Sequence, residues 1–193
     1  HSLYKDRVKQ LGENSKNIFN VGGTGAEDVH KIKLLKKKEI EKQLKFKFRK
    51  ENYLVTFDPV TFEPDYGIKQ FKTLLSFLST KKEATIIFTL PNSDANNYKI
   101  INLIKNFVSS NKKSKYYKSL GKKNYFSIIN NINAVVGNSS SGLSEVPSFK
   151  KATINIGNRQ KGRVLASSVI NIDNVNMTNL KKAFNKILNT SNK

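Results

Sequence analysis

Ala134-Val135-Val136-Gly137-Asn138-Ser139-Ser140-Ser141-Gly142 decides how the rest of the chain is read. Three small apolar residues, two of them β-branched, form a short buried strand. Glycine and asparagine end it, and three serines and a second glycine form a polar turn. Leu143–Phe149 then continues as a short helix interrupted near Pro147. The stretch is a strand, a loop and a helix start, which is one half of a βαβ unit.

The same order recurs outward from it. Tyr53–Phe57 (YLVTF) is a strand ended by Asp58-Pro59, because proline cannot extend a central ladder. Thr85–Leu90 is a buried-type strand ended by Pro91-Asn92, and Ala152–Ile156 and Val169–Ile172 are two more. Asn17–Val21, with Ile18, Phe19 and Val21, is predicted as a first short strand running into Gly22-Gly23-Thr24-Gly25. Helical segments lie between: Leu3–Glu13, a helix from Ala26, and the charged Lys38–Leu44. Ile68, Phe71, Leu74, Leu75 and Leu78 make one apolar stripe at helical spacing, and Ile100, Ile101, Ile104, Phe107 and Val108 another. Tyr125–Ile129 is a short helix, and Met177, Leu180, Phe184, Ile187 and Leu188 mark the last. Strand and helix in alternation predict an α/β domain over 1–193, with a Rossmann-like parallel sheet and helices on both faces.

Composition narrows the function. The chain has 193 residues and no cysteine, so disulfides, cysteine-zinc sites and thiol chemistry are excluded. That usage fits a reducing compartment, and a cytoplasmic location is expected. The longest apolar run, Ala84–Leu90, is strand-sized, far below the ~20 residues of a membrane span, so no membrane partner is expected. The chain opens His1-Ser2-Leu3 without an initiator Met, which suggests a piece of a longer protein or a processed one. Lys+Arg number 35 against 14 Asp+Glu, a formal net charge of +21. Such an excess suits a nucleic-acid partner or a lysine-decorated surface. Lys31 to Lys50 is the densest block, and apart from Phe46 and Phe48 few aromatics interleave with it. No base-stacking motif is present, so the surface reading is preferred and nucleic acid is a disfavoured partner.

In parallel sheets ligands bind beyond the carboxyl ends of the strands, so the residues after each strand carry the functional information. Asn138, Ser139, Ser140, Ser141 and Gly142 offer backbone N–H groups and hydroxyls at a helix start, which suits a phosphate. One serine would serve as an ordinary helix cap; three with Asn and Gly exceed that need. Glu145, one turn on, can accept from a ribose diol. Gly157-Asn158-Arg159-Gln160-Lys161-Gly162-Arg163 is a basic loop able to close on a diphosphate, or equally a solvated turn of a Lys-rich protein. Gly22 and Gly23 could approach a phosphate closely, although tight turns need the same residues.

FNVGGTGAEDV (19–29), LVTFDPVTFE (54–63), FTLPNSDANN (88–97), SLGKKNYFSIINNINAVVGNSSSGLSEVPSF (119–149) and INIGNRQKGR (154–163) together resemble the C-terminal half of the hydrolysing UDP-N-acetylglucosamine 2-epimerases of the sialic- and legionaminic-acid pathway type. The likeness runs from about Arg7 to about Ile172 and is most specific from Gly137 to Arg163. It implies the C-terminal, nucleotide-sugar-binding domain of a glycosyltransferase-B fold, with a catalytic N-terminal domain absent from this chain. The implied reaction is anti-elimination of UDP to a 2-acetamidoglucal, then hydration to N-acetylmannosamine. No metal and no nicotinamide or other cofactor is implied. The implied partners are UDP or a UDP-sugar, the missing domain, and further copies in a full-length homo-oligomer. On this resemblance Ser139 and Ser140 hold the diphosphate, and Glu145 the ribose. Arg159, with Arg163 nearby, serves the phosphates, Gly22 and Gly23 face the nucleotide, and Asn92 and Asp94 line the cleft. The isolated chain is expected to bind nucleotide without turning over.

One position departs from that pattern. Where the family has a histidine of catalytic role, this chain has Asp58. An ordinary Asp, with pKa ~3.9, is a poor acid near neutral pH. Asp58 could be a tuned acid, a tolerated variation, or the mark of a catalytically inactive epimerase-derived domain. His30 reads as a surface residue on the helix after the glycine turn.

Overall fold

The computed structural model describes residues 1–191 and, of those, the side chains other than at 24, 26, 30, 190 and 191. His30 therefore falls outside the described side chains. Six strands form one all-parallel sheet: β1 (Glu51–Thr56), β2 (Ala84–Thr89), β3 (Ser114–Tyr117), β4 (Ala134–Gly137), β5 (Ala152–Ile156) and β6 (Val169–Ile172). Their order across the sheet is β3-β2-β1-β4-β5-β6, that of a Rossmann-like doubly wound sheet. The helices are α1 (Ser2–Gln10), α2 (Thr24–Lys31), α3 (Lys37–Leu44), α4 (Ile68–Ser79), α5 (Asn97–Ser110), α6 (Gly121–Asn130), α7 (Ser141–Ser144) and α8 (Met177–Ser191).

The period-2 geometry of the strands divides the core in two. Tyr53, Val55 and Phe57 face one side with Ile86 and Phe88, where α4, α5 and α8 cover them. Leu54, Ile87 and Val135 face the other, under α3, α6 and the turn Val146–Phe149. Burial on both faces explains why the strands read as continuous apolar runs rather than as alternation. On the first face Phe184 of α8 sits edge-on to Tyr53 at 4.9 Å between ring centres and 4.7 Å from Phe77. The buried Tyr53 ring sends its hydroxyl to Glu51 Oε2 at 2.6 Å.

One predicted strand is absent and one observed strand was not predicted. Asn17–Val21 is not a strand: Ser15–Asn17 forms one 3-10 turn and the following residues pair with no neighbour. Phe19 is 77% exposed and Val21 81%, so the apolar residues that suggested a strand have no sheet face to bury against. Gly22 and Gly23 accordingly follow a loop, with Gly23 capping α2. The second miss is β3, whose Ser114-Lys115-Tyr116-Tyr117 carries no apolar run. It occupies the sheet edge, where one flank meets solvent and polar residues are tolerated.

Candidate functional site

The strand order reverses between β1 and β4, which opens a crevice at their carboxyl ends. A single glycine makes that junction. Gly137 pairs with Thr56 across the two strands and has φ +141°. A Cβ there would stand 1.8 Å from the Thr56 carbonyl oxygen, so no other residue fits this close approach.

The next residue ties the two loops together. The Asn138 side chain accepts from the Asp58 N–H at 2.8 Å and donates to the Asp58 carbonyl at 2.8 Å. Its own carbonyl accepts from Gln160 Nε2 at 2.7 Å and Arg159 Nη1 at 3.1 Å. The segments after β1, β4 and β5 are thus joined through the side chain and the backbone carbonyl of one buried asparagine. Asp58 extends the joint to the fourth segment. Its Oδ1 accepts from the Asn92 N–H at 2.9 Å, and its Oδ2 lies 3.4 Å from Arg159 Nη1. Arg159 Nη2 is 3.8 Å from Asp94 Oδ2. Asp58 is only 6% exposed and both its carboxylate oxygens face protein partners. It is placed as a strut between loops.

A second network lines the opposite wall. Ser141 Oγ donates to Glu145 Oε2 at 2.5 Å and meets the Tyr125 hydroxyl at 2.8 Å. Burial pushes the Tyr125 hydroxyl up to about 12, reinforced by the carboxylates of Glu145 and Asp58, so it stays neutral at any working pH. The N–H groups of Ser139, Ser140 and Ser141 have no partner among the described residues. α7 is a single turn, succeeded by the 3-10 turn Val146–Phe149. The helix expected from the sequence is therefore too short to supply much macrodipole, and attraction for an anion falls to these N–H groups and to side-chain cations.

Between the walls lies a cleft of about 770 Å³, lined by Asp58, Asn92, Tyr125, Ser139, Ser141 and Glu145 among others. Lys122 also lines it, with its ammonium paired to Asp28 of α2. Ser140, Arg159 and Arg163 border an adjoining hollow of about 510 Å³, where Arg163 is exposed. Gly142 packs behind the site, where a Cβ would reach within 2.7 Å of Thr153 Cγ2. Gly22 and Gly23 are exposed and line neither hollow. The glycine that reaches the site is Gly25: a Cβ on it would stand 2.7 Å from Glu145 Oε1. Tyr125, Gln160 and Gly25 are site residues that sequence reasoning did not single out. Tyr125 sits on a helix whose apolar stripe masks it, and Gly25 is hidden in a cluster whose other members attracted the reading.

The described residues contain no helix long and apolar enough to cross a membrane. Comparison with known proteins places this geometry in context. The family model for UDP-N-acetylglucosamine 2-epimerase matches residues 1–193. The GDP/UDP-N,N'-diacetylbacillosamine 2-epimerase (hydrolyzing) of Campylobacter jejuni is 40% identical over 188 residues, covering 97% of this chain and 48% of the relative. The UDP-GlcNAc 2-epimerase structure from Methanocaldococcus jannaschii superposes with a TM-score of 0.67 at 18% identity, over 98% of this chain and 54% of that one. The S. aureus MnaA–UDP co-structure gives 0.67 at 12% identity, over 95% and 48%. These two likenesses show the fold. The chain spans about half the length of the curated relatives it matches.

Proposed function

We propose, from the premise that this chain belongs to the UDP-N-acetylglucosamine 2-epimerase family, that it is the nucleotide-binding half of a hydrolysing 2-epimerase acting on a UDP-linked 2-acetamido sugar. The observation that carries the reading is the convergence around the β1–β4 crevice of free N–H donors and a carboxylate on the cleft, with a guanidinium bordering the adjoining hollow. Those groups match a nucleoside diphosphate: donors and Arg159 for the phosphates, and Glu145 for a ribose diol.

The reaction of that class removes the proton from C2 of the sugar and breaks the C1–O bond to UDP, leaving a C1–C2 double bond. Water then adds across it, oxygen to C1 and a proton to C2 on the opposite face. This chain's share is the leaving group. The Ser139–Ser141 N–H groups and Arg159 stabilise the charge that grows on the diphosphate as the C1–O bond breaks. Ser141 orients the Glu145 carboxylate, and Tyr125 supports Ser141. Asp58 holds Arg159 and the Asn92 loop in place, and Asp94 holds the second guanidinium nitrogen. Proton removal at C2 falls to a partner domain facing the cleft, and assembly into a homo-oligomer belongs to the complete protein. Gly22 and Gly23 would act through the glycine loop that sets Gly25 against Glu145. The sugar is a UDP-GlcNAc or a diacetamido analogue; the name of the Campylobacter relative favours the second.

A reading as an inactive, epimerase-derived nucleotide-binding domain rests on one observation, Asp58 in the histidine position with both oxygens engaged. An assay of UDP release by the complete two-domain protein separates the two. Turnover that drops at Glu145→Ala through a ten- to hundredfold higher KM, roughly the worth of a hydrogen bond to a charged group, supports the enzyme. Absent turnover that returns on Asp58→His supports the inactive derivative. A complete protein with neither activity nor UDP binding contradicts both.

A further inference from the structure

The cation block that the nucleotide site leaves unused gathers at the other end of the sheet. A hollow of about 680 Å³ opens beside Thr85, at the amino end of β2. Two separate stretches wall it: Lys38 to Arg49, across α3 and the entry to β1, and Lys112 to Lys115, at the start of β3. Eight of its eleven lining residues are Lys or Arg, and one, Glu41, is acidic. Glu41 is already committed, with one oxygen accepting from the Phe48 N–H at 2.8 Å and the other 3.7 Å from Lys47 Nζ. Lys113 is held by Glu83 at 2.6 Å. The other lining cations, Lys38, Lys42, Lys45, Arg49, Lys112 and Lys115, form no ion pair among the described residues. Like charges converging on one concavity repel, and an anion seated among them relieves that repulsion.

We infer that this hollow is a second anion site, distinct from the nucleotide cleft, for a compact oligophosphate carrying several phosphates close together. The volume suits a short phosphate chain, and six unpaired cations exceed what one phosphate or carboxylate can meet. The only aromatic in the lining, Phe46, is 8% exposed, so no ring is offered for base stacking and single-stranded nucleic acid lacks its usual platform. The phosphates could be inorganic or borne on a nucleoside; the recognised chemistry is the same.

Calorimetry of the 193-residue chain with inorganic tripolyphosphate at physiological salt tests this. Two triple variants with equal charge change are compared. Lys38→Glu/Lys42→Glu/Lys112→Glu alters exposed walls of the hollow, and Lys72→Glu/Lys105→Glu/Lys181→Glu alters exposed lysines elsewhere. The expected result is saturable binding that falls at least tenfold in the first variant, changes less than twofold in the second, and is not displaced by UDP. ATP binding as tightly as tripolyphosphate marks a nucleoside-borne ligand, and tighter tripolyphosphate an inorganic one; both support the site. Equal losses in the two variants reduce it to bulk charge and overturn it. So does displacement by UDP, absence of binding, or a DNA oligonucleotide that outcompetes tripolyphosphate.

Discussion

Asp58 shows how the partners of a side chain narrow a role that its position leaves open. The sequence places it where an acid–base residue is expected, yet the structure surrounds it with an N–H donor and a guanidinium. Its replacement by Ala would leave the Asn92 N–H without its acceptor and Arg159 without one of its carboxylates, at a cost of about 1–3 kcal/mol, read as a lower midpoint in urea unfolding. Gly137→Ala is harsher, because the new methyl meets backbone 1.8 Å away. It should destabilise by about 3 kcal/mol or more. Gly25→Ala meets the Glu145 side chain, from Cγ to Oε1, and no backbone among its nearest atoms. It should leave the unfolding midpoint nearly unchanged while weakening UDP binding about tenfold, or 1.4 kcal/mol, by moving that carboxylate. An unchanged UDP affinity in this variant would remove Glu145 from the site. The polar residues after the strands were legible because the chain direction in a parallel sheet sends them all to one edge. The joints among them, Asn138 to Asp58 and Ser141 to Tyr125, were not, because they link residues 80 and 16 positions apart.

At the scale of elements, legibility follows burial. β1, β2, β4 and β5 were readable because sheet faces covered on both sides demand unbroken apolar runs. The polar edge strand β3 and the exposed apolar loop at Phe19 and Val21 reverse that signal, so the first went unread and the second was misread. α8 carries Leu180, Phe184 and Ile187 of its stripe into the core, while Met177 at its start stays exposed. Phe184→Ala should therefore cost about 3–5 kcal/mol, the usual range for a buried aromatic, by the same urea measurement. It also loosens the cover over Tyr53, whose hydroxyl is bonded to Glu51. Burial pulls the Glu51 carboxyl up, but bonds from Tyr53 and Lys81 outweigh it and hold the group below its ordinary 4.5. A carboxylate depressed on folding adds stability that is full above its unfolded value and is lost as pH falls through the folded one. Acid unfolding should therefore steepen below about pH 4.5, and Glu51→Gln should flatten that limb. A variant with an unaltered acid limb would show that the Lys81–Glu51–Tyr53 group contributes nothing.

For the whole molecule, the sheet separates two charged ends. The carboxyl end mixes Arg159, Arg163 and Lys122 with Asp58, Asp94 and Glu145, so its charges are balanced. The hollow at the amino end is lined by eight Lys or Arg and one acid, Glu41. The net charge of +21 is thus not spread evenly with respect to function, and its densest sequence block lies away from the nucleotide cleft. The central claim is that the β1–β4 crevice of this half-length chain holds the diphosphate and ribose of UDP. Backbone amide shifts in an NMR titration of the chain with UDP test it most directly. The account predicts saturable shifts at Ser139–Ser141, Glu145, Arg159 and Asn92 that are lost in Arg159→Ala, with the Lys42 and Lys112 amides unmoved. Shifts centred on Lys42 and Lys112, or none at millimolar UDP, would contradict it.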